Sequence, residues 1–218
     1  MLTSPIIPAV IPTSLADLQQ SLVKLSGLPE LHLDVVDGLF VPFTSWPYHE
    51  KASPKLAKEL LDVFSLEVDL MVNDPLTAGS DWLLAGADQL VFHVETISLS
   101  AFKDFADNTN LTVGISANND TDFAILREYL AVADYVQVMG IKTIGSQGQP
   151  FDVRALDRIS LLRNDFPTLP ISIDGSVNAE TLPMLARLKL NRYIVGSAII
   201  KQTDPILAYK TLTASLFN

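Results

Sequence analysis

Eight short runs rich in apolar and β-branched residues recur along the chain, each separated from the next by a stretch with helix-starting signals. The runs cover residues 6–11, 31–36, 66–72, 89–94, 111–116, 135–139, 170–174 and 192–196. Most are almost continuously apolar, which is typical of parallel strands that are covered on both faces. Eight such strands alternating with helices in 218 residues predict an α/β fold, a (β/α)₈ TIM barrel.

The segments between these runs contain residues that favour helix ends. An N-cap residue precedes a proline at Ser53-Pro54, Asp74-Pro75 and Asp204-Pro205. The spacing of Leu56, Leu60 and Phe64 predicts a helix over residues 53–64 with one apolar face. Further predicted boundaries are a C-cap at Gly86 after residues 75–85, and helix starts at Asp120, Asp152 and Thr181.

The main alternative fold is an open doubly wound sheet. Neither GxGxxG nor GxxxxGK[ST] follows any of the runs, so the phosphate-binding motifs expected of nucleotide-binding sheets are missing. The sequence shows no linker, low-complexity segment or change of composition. One domain over residues 1–218 is therefore predicted.

Composition excludes several classes of function. The net charge of -10 argues against nucleic acid as a partner, and the chain has no cysteine for disulfide or thiolate chemistry. No run of about 18 apolar residues exists to cross a membrane. The N-terminal MLTSPIIPAVIP lacks the basic start of a signal peptide. We expect a soluble cytoplasmic protein that binds a small molecule. The sequence leaves open whether the protein forms a homo-oligomer.

Polar residues interrupt the apolar runs near their ends. In LHLDVVDGLFVP, Leu31 to Pro42, His32 and Asp34 are two residues apart and so point to the same face of a strand. Other polar residues near strand ends are Asp69, His93, Glu95 and Asp174. Ionisable groups are costly to bury unpaired, and chemistry in TIM barrels belongs at the C-terminal ends of the strands. The pattern predicts a metal or substrate at the mouth of the barrel.

Several segments resemble a known family. LHLDVVDGLFVP resembles H-x-D-V-M-D-G-x-F-V-P-N, and EVDLMVNDP (67–75) resembles D-V-H-L-M-V-x-x-P. Both motifs belong to ribulose-phosphate 3-epimerases and their relatives acting on other ketose phosphates. FHVE (92–95), VM (138–139), QGQPF (147–151), SIDGSVNAET (172–181) and VGSAII (195–200) follow in the family's order. The resemblance covers roughly residues 5 to 200.

The resemblance implies a TIM barrel of the ribulose-phosphate-binding type. It also implies metal-dependent epimerisation at C3 of a ketose phosphate through an enediolate. The substrate would be D-ribulose 5-phosphate, giving D-xylulose 5-phosphate, or a related hexulose 6-phosphate. The implied proton-transfer residues are Asp34 and Asp174, and the implied ligands of one divalent ion (Mn, Mg, Zn or Fe) are His32, Asp34, Asp69 and Asp174. The implied substrate and phosphate contacts are Met71, Met139, Gly148, Gly175, Ser176, Gly196 and Ser197.

Physical chemistry agrees with these roles. Inverting one carbon needs a base on one face and an acid on the other, which two carboxyl groups supply if one is protonated. A metal ion stabilises the negative charge that develops on the sugar. The DGS and VGS segments place small residues before predicted helix starts, so that backbone N–H groups can bind a phosphate.

The chain also departs from the family's pattern. Asp69 stands where the family has histidine, and this more negative site predicts a preference for Mn²⁺ or Mg²⁺ over Zn²⁺. Ala9 and Pro12 replace serines, Val36 replaces a methionine and Phe43 replaces an asparagine. The loop at 140–150 is one residue longer than in the family, and we expect it to be a mobile lid.

Other interpretations stay open at this stage. The departures favour, as an alternative function, a non-catalytic or altered-specificity sugar-phosphate-binding barrel. A decarboxylase of related fold would need D-x-K-x-x-D after the third strand, where EVDLMVND has no lysine. Asp34 and Asp174 could be structural carboxylates, and Met71 and Met139 could be core residues. His93 and Glu95 are predicted to stabilise a strand end rather than to bind metal.

Overall fold

The computed structural model describes residues 4–217, and its central element is a closed barrel of eight parallel strands in chain order. The strands are β1 (Ile6–Val10), β2 (Glu30–Val36), β3 (Ser65–Met71), β4 (Gln89–His93), β5 (Thr112–Ala117), β6 (Tyr135–Met139), β7 (Ile171–Asp174) and β8 (Arg192–Val195). Each predicted run agrees with its strand to within one residue at either end. The predicted TIM barrel is therefore confirmed, while the single domain over the whole chain stays a prediction.

Helices follow the strands around the outside of the barrel. They are α1 (Leu15–Lys24), α2 (Lys58–Leu61), α3 (Pro75–Ala85), α4 (Leu99–Asp107), α5 (Phe123–Tyr129), α6 (Arg154–Asp165), α7 (Leu182–Ala186), α8 (Ser197–Ile200) and α9 (Pro205–Ser215). A 3₁₀ turn, Pro54–Ala57, precedes α2. Among the described residues, no helix has the length and apolar character needed to cross a bilayer.

The predicted caps of two helices are confirmed. The side chain of Asp74 accepts a hydrogen bond from the backbone N–H of Thr77 at the start of α3. Gly86 ends the same helix with a φ of 99°, a left-handed conformation that glycine adopts without steric cost. Asp204 caps α9 by accepting from the N–H of Leu207. Local side chain–backbone chemistry is sufficient to set these boundaries.

Asp74→Ala is expected to lower the free energy of unfolding by about 1 kcal/mol, because the first turn of α3 loses an acceptor for an unpaired N–H. Urea denaturation measures the effect. Asp81→Ala, an exposed position within the same helix, is the control and is expected to change stability by less than about 0.5 kcal/mol. Equal losses in the two variants would contradict the capping role.

The helix predicted over residues 53–64 is shorter in the structure, although Ser53 caps its first turn by accepting from the N–H of Lys55. The chain makes the 3₁₀ turn and then only the four residues of α2. The backbone is extended at Ser65, whose N–H donates to Pro29 O where β3 begins, and this strand start limits the length of the helix. Leu56, placed on the apolar face by the prediction, is 63% exposed.

Two predicted helix starts were also displaced. Asp122 rather than Asp120 caps α5, by accepting from the N–H of Ala124, and Asp120 pairs with Arg154 instead. Val153 rather than Asp152 occupies the N-cap position of α6. Thr181 does precede α7 as predicted, although its side chain makes no capping hydrogen bond there. The helices α1 and α4, which follow Ser14 and Ser98, had not been predicted.

The apolar core lies mainly between the barrel and the surrounding helices. It includes Trp46 and Trp82, both fully buried, with ring centroids 6.0 Å apart in an edge-on arrangement. The strands also carry buried polar side chains at alternate positions: His32, Asp34, Glu67, Asp69, His93, Ser116, Gln137, Ser172 and Asp174. Barrel interiors are usually filled by branched apolar residues, so this polar interior separates the chain from a purely structural barrel.

Candidate active site

Four of the predicted site residues converge at the C-terminal end of the barrel. One ligand atom from each of His32, Asp34, Asp69 and Asp174 lies within 4.8 Å of the others. The strand register pairs Asp34 with Asp69, and Asp174 comes from the end of β7. His32 and Asp69 are fully buried, whereas Asp34 is 7% and Asp174 is 9% exposed. The two aspartates are thus the members of the cluster that reach the surface.

Crowding of like charges alters the acidity of this cluster. Burial raises the pKa of Asp174 well above its usual range, and the nearby charge of Asp34 raises it further. Burial also raises the pKa of Asp34, although hydrogen bonding to His32 opposes the shift. Burial alone would lower the pKa of His32, but its contacts with Asp34 and Glu67 hold that pKa well above the usual value. In the absence of a cation, both carboxyl groups therefore bind a proton more tightly than an exposed aspartic acid does.

The cluster fits a divalent cation. Three carboxylates around one imidazole repel each other in a site removed from water, and a cation between them would offset that repulsion. Carboxylate oxygens with one imidazole nitrogen are donors that suit Mn²⁺, Mg²⁺, Fe²⁺ and Zn²⁺ to different degrees. The donor set therefore permits a metal, and its identity stays a prediction.

Asp69, the departure from the family, is held by two N–H donors. His93 Nε2 lies 2.8 Å from Asp69 Oδ1, and Gln137 Nε2 lies 2.8 Å from Oδ2. A carboxylate oxygen has two lone pairs, so each oxygen keeps one for a cation. His93 and Glu95 lie outside the four-residue cluster, and Glu95 accepts from the N–H of Asn118 at the next strand end.

A cavity of about 180 Å³ opens above the cluster. The predicted site residues that line it are Asp34, Met71, Gly148, Asp174, Gly175, Ser176, Gly196 and Ser197. Met139 is not part of this lining among the described residues. It is 1% exposed and packs with Val36 and Met71, as a core residue would.

Two loops of small residues border one end of the cavity. Gly175 and Ser176 have φ values of 100° and 56°, so the chain turns sharply after β7. The backbone N–H groups of Ser176 and Val177 donate to no acceptor among residues 4–217. Gly196 lets the loop come close, because a Cβ there would lie 2.6 Å from Gln147 Nε2.

The other departures lie at different distances from the cavity. Ala9 lines it, and is the one of these four that does so among the described residues. Pro12 is buried but does not line the cavity, and its carbonyl oxygen accepts a hydrogen bond from the N–H of Trp46 at 2.8 Å. Val36 is fully buried, and Phe43 is 44% exposed. The loss of the serine at position 9 is therefore the change that bears on a ligand.

Residues 140–150 cross the cavity and are fastened where the loop begins and ends. Asn119 Nδ2 donates to Met139 O at 2.8 Å and to Asp152 Oδ2 at 3.1 Å. Hydrogen bonds from Arg154 are the main cause that lowers the pKa of Asp152 to about 2. Hydrogen bonds thus fix both ends of the loop, while the mobility of its middle stays a prediction.

Asp152→Asn is expected to destabilise the protein at neutral pH, by an amount that shrinks as the pH falls. The carboxylate has a lower pKa folded than its ordinary value of 3.8, so its stabilisation is present above about pH 4 and is lost as the pH approaches 2. Urea denaturation of both proteins between pH 3 and 7 measures the difference. A difference that is constant with pH, or equal to that of the exposed control Asp157→Asn, would contradict the assignment.

The sequence analysis did not predict three residues that lie next to the cluster. Glu67 is fully buried and contacts His32, Tyr135 and Arg192. Burial would raise the pKa of Glu67, but these contacts lower it to about 2. Glu67 stands two residues before Asp69, and this spacing could have placed it on the inner face. Tyr135 and Arg192 gave no comparable signal, because their contacts depend on how distant strands align.

Comparison with known proteins gives a consistent family. The sequence model of the ribulose-phosphate 3 epimerase family matches residues 5–200. The ribulose-phosphate 3-epimerase of Treponema pallidum is 30% identical, and the match covers 90% of this chain and 91% of that protein. The ribulose-phosphate 3-epimerase of Candida glabrata is 28% identical over 94% of this chain and 89% of its own length.

Solved structures agree on the fold. A Streptococcus mutans protein described as KGPDC in complex with D-R5P has a TM-score of 0.74, with 13% identity and 98% coverage of both chains. The 3-hexulose-6-phosphate synthase of Salmonella typhimurium has a TM-score of 0.71, with 18% identity and coverage of 97% and 98%. At these identities the likeness shows the TIM-barrel fold alone.

Proposed function

The chain belongs to the ribulose-phosphate 3-epimerase family, and on that basis we propose that it is an isomerase that epimerises a ketose phosphate at C3 with a divalent metal ion. D-ribulose 5-phosphate, converted to D-xylulose 5-phosphate, is the first candidate substrate, and a related hexulose 6-phosphate is the second. The observation that carries the proposal is the pair of partly exposed aspartates, Asp34 and Asp174, on the floor of one cavity.

The two aspartates would divide the proton transfer between them. One carboxylate removes the C3 proton from one face of the sugar, and the other, as a carboxylic acid, returns a proton to the opposite face. Either aspartate can serve as the base, depending on which face of the sugar carries the C3 proton, with the other as the acid. In the reverse direction the roles exchange. The enediolate is the sugar species between the two transfers.

His32, Asp34, Asp69 and Asp174 would hold the metal. When bound, the ion supplies Lewis-acid stabilisation of the negative charge that develops on the sugar oxygens next to C3.

The phosphate would bind at the opposite end of the cavity. The unpaired N–H groups that follow β7, together with Gly196 and Ser197 after β8, offer donors without a positive side chain. Met71 and Gly148 would contact the rest of the sugar.

Product analysis tests the proposal. Purified protein supplied with Mn²⁺ is incubated with D-ribulose 5-phosphate and, separately, with a small set of hexulose 6-phosphates. We expect one of these to yield its C3 epimer, while Asp174→Asn yields none. If no epimer forms from any sugar, although the sugars bind, the second candidate gains: a sugar-phosphate-binding barrel, or one with altered specificity. Ala9 in the cavity wall is the observation that favours that candidate.

A further inference from the structure

We propose that Glu67 is a positioning residue that fixes the imidazole of His32 so that its Nε2 faces the cluster, and that Arg192 and Tyr135 hold Glu67 in place. The inference deepens the proposed function and rests on it, since His32 has a role as a ligand there.

Two contacts set the orientation of the His32 ring. Its Nδ1 lies 2.6 Å from Glu67 Oε1, and its Nε2 lies 3.2 Å from Asp34 Oδ1. His32 and Glu67 are fully buried, and β2 and β3 place them side by side in register. The Nδ1 atom of the ring thus hydrogen-bonds to Glu67, and its Nε2 atom faces the cluster.

Hydrogen-bond geometry requires a proton on the nitrogen of His32 that faces Glu67, whether or not Nε2 also carries one. The guanidinium of Arg192 and the hydroxyl of Tyr135 both contact Glu67 Oε2, and a guanidinium can only donate. Glu67 beside that cation is an acceptor at both oxygens, so the contact at Oε1 requires a proton on His32 Nδ1. A neutral His32 then keeps its lone pair on Nε2, which is the atom that a cation in the cluster would need.

The partners of Glu67 are themselves well fixed. Arg192 also contacts Gln89 Oε1 at 3.2 Å, and its guanidinium lies 5.9 Å from the centre of the Tyr135 ring. Gly114 makes room for that ring, since a Cβ there would come within 2.4 Å of it. These contacts position Glu67 from the side opposite His32.

Replacing the carboxylate by an amide is expected to reverse the arrangement. In Glu67→Gln, the amide oxygen is needed by Arg192 and Tyr135, so the amide NH₂ faces His32 Nδ1. The proton of the neutral imidazole is then on Nε2, and this nitrogen must release its proton before it can bind a cation. Mutation of a residue that hydrogen-bonds to a metal-ligating histidine typically weakens metal binding by about 10–100-fold.

The first readout is metal affinity without sugar. Mn²⁺ titration, followed by the electron paramagnetic resonance signal of the free ion, gives the dissociation constant of each protein. We expect Glu67→Gln to raise it by about 10–100-fold. Glu67→Asp, which keeps the charge, should recover much of the loss. The matched control is Ser172→Ala, which removes a buried strand hydroxyl that has no partner among residues 4–217 and should leave the constant unchanged.

The second readout is the His32 proton in metal-free protein labelled with ¹⁵N-histidine. We expect a slowly exchanging Nδ1–H resonance in the wild type and in Glu67→Asp, and its loss in Glu67→Gln. If Glu67→Gln does not fold, the double variant E67L/R192M removes the acceptor together with its buried counter-charge, and the same losses are expected. A folded variant that keeps the Nδ1–H signal and binds Mn²⁺ within twofold of the wild type would overturn the inference. Neither readout requires turnover, so a failure to epimerise any sugar would count against the proposed function alone.

Discussion

Asp34→Asn and Asp174→Asn are each expected to lower kcat for epimerisation by about 10²–10⁴-fold, the usual contribution of a positioned proton-transfer group. An amide cannot take the C3 proton as a base or return one as an acid. Because each aspartate would serve one face of the sugar, loss of either should stop epimerisation in both directions. The measurement is kcat on the sugar that the wild type converts.

The two variants also separate proton removal from inversion. Asp34→Asn keeps Asp174, so the epimer whose proton faces Asp174 can still exchange that proton slowly with solvent without being converted. Asp174→Asn should show the same for the opposite epimer. Asp107→Asn, an exposed carboxylate on α4, is the control for general effects of charge. A kcat within tenfold of the wild type in either site variant would contradict the two-aspartate mechanism.

Removal of metal is expected to lower activity by more than about 10²-fold, because Lewis-acid stabilisation contributes several kcal/mol to such reactions. Dialysis against EDTA followed by titration of single metals measures both the loss and its recovery. With three carboxylates and one histidine, Mn²⁺ or Mg²⁺ should restore activity better than Zn²⁺.

Asp69→His is the matched variant for that prediction, since it restores the residue that the family's motif has at this position. It should move the order of recovery towards Zn²⁺. Purified wild-type protein with full zinc occupancy, or activity unaffected by chelation, would contradict the assignment of the cluster.

The barrel could be predicted from the sequence because its signal is repeated. Each of the eight apolar runs was bounded to within one residue, and the caps at Asp74, Gly86 and Asp204 depend on chemistry within a single turn. The helix predicted over residues 53–64 is only half right, since helical structure ends at Leu61 and β3 begins at Ser65, a limit that the apolar spacing does not contain.

In the site, too, the positions along the strands could be predicted, whereas contacts between distant strands could not. Convergence of His32, Asp34, Asp69 and Asp174 followed from strand-end positions and from the family's motifs. Met139, which was predicted to contact the substrate, packs with Val36 and Met71, and its contact with substrate stays a prediction. The contacts of Glu67 with Arg192 could not be predicted, because they join strands 125 positions apart in sequence whose register only the closed barrel sets.

The most direct test of the central claim is proton NMR in D₂O of the C3–H signal of D-ribulose 5-phosphate, with Mg²⁺ as the metal. The account predicts that this signal disappears as deuterium enters at C3 while the signals of D-xylulose 5-phosphate grow, and that Asp174→Asn abolishes the conversion. A C3–H signal that persists for D-ribulose 5-phosphate and for every hexulose 6-phosphate tried, in folded protein with metal bound, would contradict it.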